Sequence, residues 1–583
     1  MMKFFFSPPA PGGVGSDKQV IFNDMGVLAG DTKFLWDKTA NRLDIDGPLV
    51  VTGKITANTN VDIWNGLNGN STSTGVGATA LAATSGAAAG NTALGYRAMY
   101  QATTGASNVA VGTNSLSAAA MTGSSNVAIG SVAGAGITSG TINVAIGSNA
   151  LGNAAQAVTG SKNIAIGDTA MFSGTPITGS DNIGVGRDTL RTLSTGAANV
   201  GIGPNALNLL TTGAANVGIG SGAGIRITAA NSCIAIGNNA MTGTQNVTGS
   251  GNLAVGEGTM PPTGTAALSG GGNIALGVAA GRNITTGTNN IFAGTLAGYT
   301  ANASDITGSD NIGIGRDTFR NLTSGATNVA IGPSALNALT SGLQNTAIGQ
   351  DALKLVQTTN YNVAVGYLAL AANTVADNTA CGTAALARNT SGTGNSAFGR
   401  DSLAFNLIGL NNTAVGNLAL NLSTGSNCTA LGYQAAKATT GANTTAIGAN
   451  AMALSTAGNA NTAVGYNALS GALTNGDNTA IGCSSGLVLT SGGVNTFIGS
   501  FSGYTTTTGN SNICLGVNAV TSAASSDNQI SIGSVTQFVG TDSAANTYFA
   551  TAVTGTVVPP VGATGFWRVI INGTARKIAV YAD

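Results

Sequence analysis

The chain has 583 residues, 21 basic and 21 acidic side chains, and a charged fraction of only 7%, where ordinary globular proteins carry about 25%. Its 43% apolar content argues against a disordered chain, and without a basic run it has no visible source of attraction to a nucleic-acid backbone. It has no histidine, and Glu257 is its sole glutamate, which removes Ser-His-Asp and Cys-His catalysis, His-rich metal sites and paired-glutamate glycosidase chemistry.

An Asp-based hydrolase stays open on composition alone, but no catalytic residue, cofactor or metal is expected. The apolar run at the start, Met1-Met-Lys-Phe-Phe-Phe, is too short for a secretory signal, and no run approaches membrane-spanning length. Membrane insertion is therefore not expected.

Residues 1–16, apolar and then rich in Pro and Gly, read as an arm. Residues 17–72 read as a separate module, because Asp17, Lys18, Asp24, Asp31, Lys33, Asp37, Lys38, Arg42, Asp44 and Asp46 concentrate charge that the rest of the chain lacks. Within it Gln19-Val-Ile-Phe, Lys33-Phe-Leu-Trp-Asp, Arg42-Leu-Asp-Ile-Asp and Leu49-Val-Val-Thr have strand composition, broken by the Gly47-Pro48 turn. The phrases Phe22-Asn-Asp-Met-Gly-Val-Leu-Ala-Gly-Asp31, Phe34-Leu-Trp-Asp-Lys38 and Val50-Val-Thr-Gly53 resemble the N-terminal segments of bacteriophage tail-fibre and appendage proteins. That resemblance implies attachment to a virion protein; the structural alternative is a cap for the rod-like region C-terminal to it.

From residue 73 to 533 one phrase dominates, Asn-x-Ala-Ile-Gly. It stands as Asn108 to Gly112, Asn328 to Gly332 and Asn478 to Gly482. By its closing glycine it returns roughly 26 times between Gly95 and Gly533, about every 17 residues, a solenoid spacing. A full unit adds two variable residues, Ala-Leu, a few more, and Thr-Thr-Gly, so each unit is predicted to be one coil of a parallel β-solenoid, or β-roll. At about 4.8 Å per coil, 26 or 27 coils span about 130 Å.

Residues two apart in a strand share a face. The Val or Ile slots before and after Ala are expected to form an inner ladder, with the Ala slot outward and open to close approach. Four medium apolar side chains per coil make a thin core, so association through the Ala face, giving a homotrimer, is the expected remedy. Phe292 and Phe497 break the Ala rule and are expected to mark a wider contact or, at Phe292, a shifted register.

The five cysteines lack CxxC spacing, so no disulfide framework is expected. Cys381 takes the Ile slot and Cys514 the Ala slot, and both are expected to be small buried residues. Cys233 and Cys428 stand in the Asn slot, and Cys483 follows a closing glycine.

Ser125-Asn-Val-Ala-Ile-Gly130 and Asn443-Thr-Thr-Ala-Ile-Gly448 resemble the head repeats of trimeric autotransporter adhesins, whose left-handed β-roll carries a similar phrase on a shorter period. The resemblance implies a trimeric β-roll. A secreted adhesin or an extracellular filament subunit is the alternative function, weakened because signal peptide, coiled-coil stalk and membrane anchor are not recognisable in the sequence.

A longer repeat lies over the short one. The run from Ile177 to Arg191 returns from Ile306 to Arg320, 129 residues on, with Ile314 in place of Val185 and Phe319 in place of Leu190. A block of seven coils reads as duplicated.

After Gly533 the phrase stops, and residues 534–583 read as a cap or tip. Asn572-Gly573 between two strand-like runs is a hairpin signal, expected to close the open end of the solenoid. The phrase Trp567-Arg-Val-Ile-Ile-Asn-Gly with Lys577-Ile-Ala-Val is similar to the endings of other phage fibre proteins. Phe566, Trp567, Arg568 and Tyr581 are the candidate contacts to a host surface glycan, although a trimer cap needs the same aromatics.

The pairs Arg187-Asp188, Arg316-Asp317 and Arg400-Asp401 follow closing glycines and are expected to be solvated corners. Tyr96, Tyr367, Tyr433 and Tyr466 share that slot and are expected to form a packing ridge, stacking on saccharides being the alternative. The sequence thus points to an all-β structural fibre of a virion with small β modules at both ends, a capsule depolymerase being a third reading.

Overall fold

The computed structural model describes residues 73–533, apart from 78, 82–88, 262–265 and 301–303, together with the backbone of six strands outside that range. The chain divides into two units, residues 1–64 and 65–583. In the first, Phe34–Asp37 pairs antiparallel with Arg42–Ile45, Phe34 opposite Ile45 and Asp37 opposite Arg42. These are two of the four strands expected there; the arm at 1–16 and the runs at 19–22 and 49–52 lie outside the described residues.

The second unit is built on 27 short parallel strands, from Thr74–Val76 to Gln529–Ile532. Each pairs in register with its sequence neighbours, so that Val329, Ala330 and Ile331 lie opposite Thr346, Ala347 and Ile348. On the other side of the coil single-residue bridges form a second parallel row, Ile137 to Val158 to Ile177 and Ile227 to Val247 to Leu268. No helix occurs among the described residues. The chain is an all-β parallel solenoid of coils of about 17 residues, as the spacing predicts.

The sidedness of the strands is the reverse of the expected one. In strand after strand the central Ala is fully buried while its two neighbours are half-buried or exposed. Ala330, Ala347 and Ala480 are interior, and Ile348 and Ile481 look outward. The reason is the width of the coil, because the facing wall delivers a Leu or Met from each Ala-Leu corner into the same space. At Gly184, which takes the Ala slot, an added Cβ would lie 3.3 Å from Met171 Cε and 3.5 Å from Leu190 Cδ1. Thr189 Oγ1 would be closer still, at 3.1 Å, so even one methyl is tight at this coil and a branched side chain has no room.

The two phenylalanines in the Ala slot obey the same limit by exchange. Phe292 and Phe497 are buried, the register of their strands is unbroken, and the corner residue that would be Leu is Gly298 or Gly503. In the duplicated block the interior pair Ala165 and Met171 becomes Phe292 and Gly298. Phe319, in place of Leu190, meets Phe292 edge to face at 6.1 Å. Volume is moved within the core instead of added.

Strand after strand is followed by a glycine that the stacking requires. Gly332 has φ +119°, and a Cβ there would sit 2.7 Å from the Gly349 carbonyl carbon of the next coil; at Gly112 and Gly482 the next carbonyl oxygen would be 2.4 Å away. The corner leucines adopt the left-handed region as well, Leu336 at φ 48° and Leu353 at φ 49°. Their side chains are buried, and the apolar contact holds a conformation that isolated leucine disfavours.

Past the last coil the chain reverses. Gln537–Thr541 pairs antiparallel with Gln529–Ile532, and Thr547–Thr551 pairs with Gln537–Thr541. The predicted hairpin forms, Ala563–Ile571 against Thr574–Tyr581 with Ile571 opposite Thr574. It is a sheet of its own, however, and the strand that pairs with the final coil is Gln537–Thr541, which the sequence pattern does not mark.

Candidate functional site

The side chains that tie coil to coil are the asparagines that open each phrase. Asn108, Asn328 and Asn478 are fully buried. Each Oδ1 accepts the backbone N–H of the next coil's Asn at 2.8–3.1 Å, as from Asn345 to Asn328. The next Asn also donates its Nδ2 to that oxygen, at 3.1 Å for Asn345. The same Nδ2 donates to a turn carbonyl, as Asn328 does to Gly342 at 2.8 Å. Buried amides with every group engaged suit a polar column in an apolar interior.

Among the described residues the column starts at Ser73, whose Oγ accepts from the Asn91 N–H at 3.1 Å. It ends at Gln529, which donates its N–H to Asn512 and folds its side chain onto Ser522, Nε2 to Oγ at 2.6 Å.

Two cysteines serve in this column. The Cys233 N–H donates to Asn216 at 2.9 Å and its thiol to the Gly249 carbonyl at 3.3 Å. Cys428 repeats this with Asn412 and Gly441. Burial raises both thiol pKa values, partly offset by backbone N–H groups directed at the sulfur. Cys514, buried in the Ala slot without such donors, is pushed by burial up to about 12. Cys381 corrects the expectation of burial: it occupies an outward slot and is exposed, as is Cys483.

A second polar column went unread in the sequence. On the bridge side, where most coils bury Leu, Ile or Val, Asn373, Asn389, Asn406, Ser423, Thr439 and Ser455 are buried instead. Asn389 closes its turn with its own amide, donating to the Gly392 carbonyl at 2.8 Å and accepting its N–H at 3.2 Å; Asn406 does so with Gly409. The signal was an Asn three residues before the turn glycine.

At the corners the Arg-Asp pairs are ion-paired surface groups, with Asp317 held by Arg316 at 3.0 Å and Arg320 at 2.6 Å. Arg187, Arg316 and Arg400 are about two-thirds exposed, as expected for solvated corners. The tyrosines there depart from the expected packing ridge, since Tyr96, Tyr367, Tyr433 and Tyr466 are each about half exposed. A shallow groove of about 270 Å³ passes Thr300, Asn321, Thr323, Thr340 and Gln357. Its Thr323 and Thr340 hydroxyls are already donated to carbonyls of the next coil.

No family model, curated protein or solved structure matches the chain.

What remains as a continuous surface is the outward side of the parallel sheet. Its two rows hold Val200 and Ile202, Thr445 and Ile447, Ile530 and Ile532, and their counterparts in every coil, none of them charged. The candidate tip residues fall on the terminal hairpin, Phe566 opposite Ala579, Trp567 opposite Ile578, Arg568 opposite Lys577 and Tyr581 opposite Ala563. Their side chains lie outside the described residues.

Proposed function

We propose that this chain is a structural fibre protein, the solenoid serving as a rigid shaft between an attachment module and a tip. The observation that carries the reading is the unbroken ladder of 27 in-register strands whose interior is filled from both walls and tied by buried asparagines. Such a stack resists bending because each coil contacts its neighbours through backbone bonds, a core and a side-chain column at once.

The finer reading is a non-enzymatic virion fibre, such as a tail fibre, assembled as a homotrimer. Residues 17–72 attach to a virion protein, and the terminal hairpin meets the host, a surface glycan being the ligand. Support for the virion comes from the phrases at Phe22–Asp31 and Phe34–Lys38 and from the Trp567 phrase. Support for assembly comes from the uncharged outward face, which replaces the Ala face as the surface available to a partner.

Native mass measurement of the purified chain tests the assembly, with three copies expected and a monomer overturning it. Imaging of virions labelled at the two chain ends tests the placement: the N-terminal label is expected at the particle and the C-terminal label distal. Release of sugars from host polysaccharide by the purified protein would overturn the non-enzymatic reading.

A further inference from the structure

We infer that the corner row behind the closing glycines, from Tyr367 to Tyr466, is a binding track for a linear polysaccharide, a chain of β-1,4-linked six-membered sugars lying along the shaft. The inference concerns the side of the shaft and not its tip, and it does not rest on the virion reading.

The first observation is placement. Of the ten tyrosines in the chain, four directly follow a closing glycine, so they gather in one slot of the coil instead of scattering over it. Three of the four, Tyr367, Tyr433 and Tyr466, share a run of seven consecutive coils with Arg400, which takes the same slot. These four residues follow the strands Val363–Val365, Ser396–Phe398, Thr429–Leu431 and Thr462–Val464, every second strand of the run. Between them stand the smaller Thr383, Asn417 and Ala449. With strands about 4.8 Å apart, a large planar group recurs about every 9.6 Å over a length of about 29 Å.

The second observation is that this spacing is fixed by the backbone. The Tyr367 carbonyl accepts the Ala384 N–H at 2.8 Å, that of Tyr433 the Asn450 N–H at 2.8 Å, and that of Tyr466 the Ser484 N–H at 2.7 Å. The intervening Thr383, Arg400, Asn417 and Ala449 carbonyls accept from the next coil in the same way, at 2.9–3.1 Å. The row is a continuous ladder, and a ligand meets groups that are already ordered.

The third observation is what the row presents. Tyr367, Tyr433 and Tyr466 are 49–55% exposed, where a packing role would bury the ring. A half-open tyrosine offers an apolar face to the C–H face of a sugar while its hydroxyl stays wet. Beside the last two tyrosines lie carboxamides. Gln434 donates to the Tyr433 hydroxyl at 3.1 Å, and the amides of Asn450 and Asn467 have no hydrogen-bond partner among the described residues. They supply donors and acceptors for sugar hydroxyls.

Spacing selects the ligand. A β-1,4-linked chain of six-membered sugars lies extended as a ribbon and turns the same ring face toward a surface at every second ring. Its repeat is therefore a disaccharide, close in length to two coils. An α-1,4-linked chain curls and leaves the row.

The test is calorimetric titration of the full-length protein with hexamers of β-1,4-linked glucose and of β-1,4-linked N-acetylglucosamine. At least one is expected to bind, and its dimer, which reaches no more than two of the four groups, to bind about tenfold more weakly or less. Tyr433→Ala with Tyr466→Ala is expected to weaken the hexamer about tenfold or more, and Phe at both positions to retain most of the affinity. Unchanged amide protection from 429 to 467 shows that the coils of the double variant are intact. Tyr96→Ala removes a tyrosine of the same slot that has only Thr113 and Ser131 in the next two coils, and it is expected to change nothing. Loss of binding in Trp567→Ala with retention in the double tyrosine variant assigns the sugar to the tip, which overturns the track and leaves the fibre reading standing. Failure of both hexamers to bind, or equal binding of the α-1,4-linked glucose hexamer, overturns the track as well.

Discussion

Phe292 occupies the space that Gly298 leaves empty: a Cβ on Gly298 would lie 2.5 Å from the phenyl ring. The aromatic ring and the missing side chain belong to one coil and stand for the Ala and Met found at the matching places of the duplicated block.

Phe292→Ala should therefore destabilise its coil by about 3–5 kcal/mol through the cavity it leaves. Phe292→Ala with Gly298→Leu should recover most of that loss, because the pair restores the common Ala and Leu arrangement. Gly298→Leu alone should be worse than either. Hydrogen exchange of the amides from 290 to 300 reads the effect locally, which suits a long repeat array better than one global transition.

The inverted sidedness predicts opposite outcomes at adjacent positions. Ala347→Leu forces a large side chain between the walls and should cost about 1–3 kcal/mol, seen as lost amide protection in its own and the flanking coils. Ile348→Ser should keep that protection and act on association between copies, read by native mass.

The asparagine column should tolerate cysteine better than alanine. Asn328→Ala removes the acceptor for the Asn345 N–H and Nδ2 and the donor to Gly342, at about 1–3 kcal/mol for each buried group left unpaired. Asn328→Cys can reproduce the contacts that Cys233 and Cys428 make and should lose clearly less. Exchange of the Asn345 amide distinguishes the two.

The thiols should divide into two classes. In the native protein a maleimide should modify Cys381 and Cys483 and spare Cys233, Cys428 and Cys514; denaturation should expose all five. Because burial raises the Cys514 pKa to about 12, the folded state keeps a proton that the unfolded chain gives up above a pKa of about 8.5. Its contribution to stability is intact below that value and is lost as pH rises toward 12. Cys514→Ala should flatten the alkaline part of the unfolding profile, measured by denaturant titration between those limits.

The period and the parallel stacking were legible in the sequence, because a phrase that returns every 17 residues or so can stack only on itself. Which face lies inside was not legible from alternation, which groups Val329 with Ile331 but does not say where Ala330 points. Ordinary burial preferences favour β-branched residues for the interior, and the narrow coil overrules them. A size limit was present in the sequence: the central slot holds Ala, Gly, Cys or Ser in every strand except those of Phe292 and Phe497, and both phenylalanines are followed six residues later by Gly. The strand Gln537–Thr541 stayed hidden because it lacks the phrase.

The asparagine column also has a consequence for synthesis. Every Oδ1 in it is offered to the coil that comes next in sequence, so a finished coil presents an acceptor before the next Asn N–H exists. A chain emerging from the ribosome would add coils to a prepared surface from the N-terminal side, with Gln529, its side chain turned back onto Ser522, as the stop. Interior coils can then be gained or lost in whole units without creating a new end, and this makes length the property of the shaft that is easiest to change.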